Sequence, residues 1–148
     1  MASLTASLNA TVKVFSDTGS FTEAKNTWSY ISPGKITEVK PNRGQYGTRV
    51  TLVGTNLLAA GQSVASVTLA GVQASLMKDE NGTQLSSDTA IKVEAAASGS
   101  NNEFVGDVKI VANTGASITK KSSFTYVPPA SIFSVLPNAG LDLSLIHI

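Results

Sequence analysis

The chain repeats itself. Residues 12–44 and 108–140 align without a gap at an offset of 108 − 12 = 96 positions. Identities include Val12/Val108, Lys13/Lys109, Thr18/Thr114, Gly19/Gly115, Tyr30/Tyr126, Pro33/Pro129, Ile36/Ile132, Val39/Val135, Pro41/Pro137 and Gly44/Gly140, and Trp28 stands opposite Phe124. Self-similarity at a fixed period marks a tandem array of small folding units. Each copy also crosses a boundary. A Thr-Gly turn and Tyr30 close one unit, then Pro33 and Ile36-x-x-Val39-x-Pro41 open the next. The expected division is residues 1–32 as the closing strands of a preceding unit, 33–127 as a complete unit, and 128–142 as the first strand of a following one. The end, 143–148 (LSLIHI), resembles the translation of a sequencing adapter and is set aside, together with the single histidine, His147.

Within the complete unit, short β-type runs alternate with turn residues. Strands are expected at 35–40, 49–53, 64–69, 72–76, 91–94, 107–111 and 118–126. The clearest period of two places Val108 and Ile110 on one face and Lys109 and Val111 on the other, and Ile91 and Val93 face away from Lys92 and Glu94. Gly44, Gly47, Gly71, Asn81-Gly82 and Gly115 punctuate the runs. No long stretch carries a helical stripe. Seven short strands in one unit predict an all-β, immunoglobulin-like antiparallel sandwich. Val50 and Leu52 should share its inner face, as should Phe124 and Tyr126, while Pro41 ends the first strand because it cannot donate to a ladder.

The run Ile36-x-x-Val39-x-Pro41-x-x-Gly44-x-x-Gly47-Thr48-x-Val50-Thr51-Leu52-x-Gly54-Thr55-Asn56-Leu57 resembles the opening of an IPT/TIG domain. Val67-x-Leu69-x-Gly71-Val72 is similar to its next segment, and Gly106-x-Val108-x-Ile110 with Phe124-x-Tyr126 to its close. The resemblance implies an early-set (E-set) immunoglobulin-like fold and a role as a stalk or binding module.

Composition narrows the chemistry. With no cysteine, disulfides, thiolate metal sites and cysteine nucleophiles are excluded. There is no Gly-x-Ser-x-Gly elbow and no phosphate loop, so no enzyme and no cofactor are expected. A formal charge of +1 argues against a nucleic-acid partner. Lys120-Lys121, with Lys109 and Lys25 elsewhere, reads as solubilising or edge-protecting charge. Asp79-Glu80-Asn81-Gly82, with Asp88 nearby, has oxygen ligands for calcium but lacks EF-hand spacing and reads better as a hairpin turn, so no metal site is expected. Asn81-Gly82-Thr83 and Asn9-Ala10-Thr11 are glycosylation sequons, and Asn81 at a loop tip is the better acceptor. Trp28, Tyr46, Phe21 and Phe104 are candidates for a sugar-stacking platform; alignment with Phe124 points Trp28 to a core, and the Gly44–Gly47 turn leaves Tyr46 exposed.

The expected function is therefore a non-catalytic tandem repeat of a large extracellular or cell-surface protein, acting as spacer, adhesion or protein-binding module. Its partners are neighbouring repeats and a further protein or a glycan, with membrane contact only through an anchor elsewhere. The alternatives are an accessory domain of a secreted carbohydrate-active enzyme or the dimerisation domain of a transcription factor. The opening MASLTASLNA lacks the basic and apolar regions of a secretory signal. The closing strands of the partial unit lack an opposite sheet, so Val12, Val14, Trp28 and Tyr30 should form a poorly anchored hairpin.

Overall fold

The computed structural model describes residues 9–140; the 143–148 segment, His147 included, lies outside the described residues. Two short strands, β1 (Asn9–Phe15) and β2 (Phe21–Ser29), pair antiparallel as a separate hairpin. The remaining strands are β3 (Lys35–Lys40), β4 (Arg43–Gly44), β5 (Arg49–Thr55), β6 (Val64–Leu69), β7 (Val72–Leu76), β8 (Ala90–Glu94), β9 (Phe104–Ala112) and β10 (Ser117–Tyr126). They join in the order β3-β5-β8-β7-β6-β9-β10-β4, and among the described residues there is no helix.

That order is a sandwich joined along one side. The first half of β7 pairs with β6 (Val67↔Ala74, Leu69↔Val72), and its second half pairs with β8 (Ser75↔Glu94, Leu76↔Val93). The tight Ala70-Gly71 turn before it has both residues in the left-handed region, as two-residue hairpins require. On the other side the first strand is split at Pro41: β3 pairs antiparallel with β5, whereas β4 runs parallel to β10. Pro41 breaks the ladder, and Arg43 and Gly44 then cross to the opposite sheet. The sequence pattern missed β4 because two residues carry no period.

The alternating runs set the core. Val50 and Leu52 of β5, with Ile91 and Val93 of β8, face Val67, Leu69, Val108, Ile110, Phe124 and Tyr126 from the other sheet, all essentially without exposure. Each such side chain contributes roughly 1.5–3 kcal/mol by leaving water, and truncating Phe124 to alanine would cost about 3–5 kcal/mol. Phe124 meets Tyr126 edge-on at 5.1 Å, and Phe104 stacks on Tyr126 at 5.4 Å. The Tyr126 hydroxyl is buried with no hydrogen-bond partner among the described residues, and desolvation raises its pKa. Gly54 is buried for a contact reason: a Cβ there would run into the Lys35 carbonyl and the Leu57 side chain. Gly47 has φ +80°, whereas Gly44 lies against the Thr48 side chain.

The hairpin contributes nothing to this core. Its backbone nonetheless copies the β9–β10 hairpin 96 positions on. Gly19 and Gly115 have φ 85° and 86°, and Asn26 and Ser122 have φ 56° and 45°. The side-chain environments differ completely: Trp28 is 55% exposed where Phe124 is 0%, and Tyr30 is 61% exposed where Tyr126 is 1%. Trp28 therefore departs from the burial expected of it, because no second sheet covers it among the described residues. Amides of β1 and β2 should exchange roughly a thousandfold faster than those of β5, β8 and β9, since core amides open only with unfolding of about 5 kcal/mol or more. Hydrogen exchange followed by NMR measures this, and equal protection would show the hairpin anchored after all.

Candidate functional site

Both ends of the unit carry features that the core does not need. At one end, the 56–63 loop between β5 and β6 meets the 113–116 turn between β9 and β10. Ala59 and Ala60 hold φ 47° and 59°, a conformation uncommon for residues with a Cβ. Hydrogen bonds enforce it: Ala59 N–H donates to the Asn56 carbonyl and Gly61 N–H to that of Leu58. The Asn113 side chain accepts from Gln62 N–H at 3.2 Å, and Asn113 N–H donates to the Ser63 carbonyl. Asp88 completes the brace, its carbonyl accepting from Leu57 N–H and its carboxylate from Leu58 N–H. The result is a small-residue platform. The end of β2 lies beside it, enclosing a cavity of about 460 Å³ lined by Trp28, Tyr30, Ile31, Ala59, Ala60 and Thr114. The following linker passes close, since a Cβ on Gly34 would strike the Ile118 side chain and the Asn56 carbonyl.

At the opposite end Tyr46 stands on the turn between β4 and β5 and is 70% exposed. The turn is tied down by Gly47 N–H to the Ala95 carbonyl and Ala95 N–H to the Thr48 carbonyl. A cavity of about 190 Å³ lies between Tyr46, Ala97, Gly99, Val127 and Pro129. The departing chain is held here too, Ala130 N–H donating to the Gln45 side-chain oxygen at 2.9 Å.

The residues singled out from sequence do not converge. Asn81 is exposed at the tip of the 77–90 excursion. There Gly82 N–H donates to the Asp79 carbonyl, and the Asp79 carboxylate accepts from Asn81 and Thr83 N–H, both at 2.9 Å. Asp79 thus caps its own turn while Asp88 braces a different loop, so the acidic stretch forms no cluster. Asn9 lies in β1 opposite Ser29. Of the four candidate aromatics, Phe21 packs on Phe15 at 5.7 Å, Phe104 on Tyr126, and Trp28 and Tyr46 sit at opposite ends. They make no common sugar platform. Among the described residues no three acidic, histidine or cysteine side chains gather. No described helix is long and apolar enough to cross a membrane.

Three contacts escaped the sequence pattern altogether. The Gln84 side chain both accepts from Val64 N–H and donates to the Val64 carbonyl, acting as a surrogate ladder rung. Lys120 does not simply solubilise: its ammonium donates to the Thr37 carbonyl at 2.9 Å, reaching from β10 to β3 across a cleft of about 410 Å³. Lys121 pairs with Asp107 at 2.7 Å. The expectation of edge-protecting lysines names the right residues but not the bonds, which depend on a bulge at Ser122 invisible to a period of two.

The family described as the IPT/TIG domain matches residues 35–126. No curated protein sequence matches the chain. Among solved structures, the Plexin A4 full extracellular region (domains 1 to 10) is 25% identical with TM-score 0.54, covering 78% of this chain and 9% of that one. A second Plexin A4 extracellular structure is 26% identical with TM-score 0.50, covering 71% of this chain and 10% of that one. An auxiliary nutrient binding protein from Bacteroides ovatus is 22% identical with TM-score 0.43, covering 63% of this chain and 20% of that one. The chain thus spans between about a tenth and a fifth of the length of these structures.

The Lys121 ammonium, together with Ser122 N–H, holds the Asp107 carboxyl below its usual pKa. A carboxylate whose folded pKa is depressed stabilises the fold above its unfolded pKa and loses that effect as pH falls through the folded one. The group is solvent-accessible, so the effect is screened. Asp107→Asn is expected to lower stability slightly at neutral pH, the difference from the parent closing as the pH falls below the ordinary carboxylate range and through the depressed folded pKa. Urea titrations across that range measure it; a gap that persists in acid would show that the carboxylate's charge is not what matters.

Proposed function

The chain belongs to the IPT/TIG family, and on that premise we propose that its complete unit is a non-catalytic spacer and binding module in a tandem array of an extracellular or cell-surface protein. The observation that carries this reading is the gapless 96-position repeat, whose two copies also share the turn and bulge conformations at Gly19/Gly115 and Asn26/Ser122. Residues 1–32 are then the end of a preceding unit, 33–127 the whole unit, 128–142 the start of the next, and 143–148 adapter-derived. Units that touch only their neighbours, joined by short Pro-containing linkers, build extended rods. The likeness to the extracellular region of Plexin A4 supports the compartment.

In this reading the partners are adjacent units and an external protein or glycan, and membrane contact comes through an anchor elsewhere in the parent protein. Exposed at its turn, Asn81 is a glycan acceptor. Sequencing the parent coding region across both ends tests the array. Further units in the same register, with an export signal or anchor, are expected. A frame running into a catalytic or a DNA-binding domain overturns it and favours an accessory or dimerisation domain instead. Expressed through a eukaryotic secretory pathway, the chain should gain a glycan that Asn81→Gln lacks. Mass spectrometry showing the unsubstituted chain without modification removes Asn81 from the reading.

A further inference from the structure

The cavities at the two ends share one position of the repeat. Ile31 lines the first and Val127 the second, and the 96-position offset makes them the same point of successive units. Around Ile31 the structure holds the platform of the unit that follows; around Val127 it holds the end face of the unit that precedes. By the repeat, the Tyr46 face of one unit and the Ala59–Ala60 platform of the next both flank this one linker position. The two residues now beside that platform do not compete in a complete array. Trp28 and Tyr30 occupy the places of Phe124 and Tyr126, which lie in the core. In a full preceding unit these two positions would face its core, as Phe124 and Tyr126 do, and would leave the platform free.

We propose that Tyr46, with the adjoining 97–99 loop, docks on the platform that exposed Ala60 and Thr114 form over buried Ala59 in the following repeat, and thereby fixes the angle between units. The proposal rests on the array reading and names the surface that makes the array stiff. A broad, amphipathic ring with few rotatable bonds meets a surface of methyl groups, so contact area is gained with little loss of side-chain freedom. No charged side chain lines either cavity. The linker keeps the faces together: the four residues 127–130 span at most about 14 Å even fully extended. Two prolines stiffen it, and the Gln45–Ala130 hydrogen bond sets its direction.

The unit can be tested alone, because every buried core residue lies between Ile36 and Tyr126. Residues 35–129 joined directly to 34–126 keep the repeat register and retain glycine where the linker passes Asn56 and Ile118. NMR residual dipolar couplings on this tandem should give one common alignment for both units, with amide shifts at Tyr46 in the first and at Ala59–Ala60 in the second relative to a single unit. Tyr46→Ala in the first unit, or Ala60→Arg in the second, should abolish the common alignment, while each single unit carrying the same change keeps its dispersed spectrum. Independent alignment in the unsubstituted tandem, or common alignment surviving both changes, overturns the docking and leaves the Tyr46 face to an external partner. Neither result bears on whether the parent contains further units, which the coding sequence alone decides.

Discussion

Two apolar sheet faces that bury one another leave open sides, and here a strand changes its ladder partner from one sheet to the other on each side. Midway along β7 the hydrogen bonds change partner from β6 to β8, and after Pro41 the first strand leaves β5 for β10. The two crossings sit on opposite sides of the sandwich. Lys120, bonded to the Thr37 carbonyl, bridges the remaining gap between β3 and β10. Without the facing sheet that these closures join, Phe124 and Tyr126 would face water, as Trp28 and Tyr30 do where no second sheet covers them among the described residues. The same local sequence is thus core in one copy and surface in the other. Burial belongs to the assembled unit, not to the strand.

This contrast also defines what was legible beforehand. Strands β3, β6 and β7 fall where a period of two and their Gly or Pro boundaries place them, and β5, β8, β9 and β10 differ only at their ends. The inward positions Val50, Leu52, Ile91, Val93, Val108 and Ile110 follow from the same alternation. What escaped are features created by long-range closure: β4, the Gln84 rung on Val64, the Lys120 bridge and the Ser122 bulge. None has a local pattern, because each depends on what the fold brings alongside.

The end faces divide in the same way. Tyr46 is legible as exposed from its position in a glycine-flanked turn. Ala59 and Ala60 are not legible as a platform, since alanine carries no preference for the left-handed region that their loop imposes. Asn113 and Asp88 hold that loop from other parts of the chain, and only assembly reveals them in that role. Asp79 and Asp88 teach the converse lesson. Close in sequence and acidic, they suggest joint chemistry, yet each spends its carboxylate on nearby backbone N–H groups of a separate loop.

The parallel pairing of β4 with β10 has a mechanical side. A pull along a string of such units drags on the chain before β3 and on the chain after β10. Because β4 and β10 run in the same direction, that tension moves them oppositely along their common axis. The bonds that join them, Thr125 N–H to the Asn42 carbonyl and Val127 N–H to the Gly44 carbonyl, are then loaded in shear and must fail together, unlike hairpin bonds that unzip singly. The small patch that the first strand reaches only by breaking at Pro41 is therefore where the unit resists being stretched.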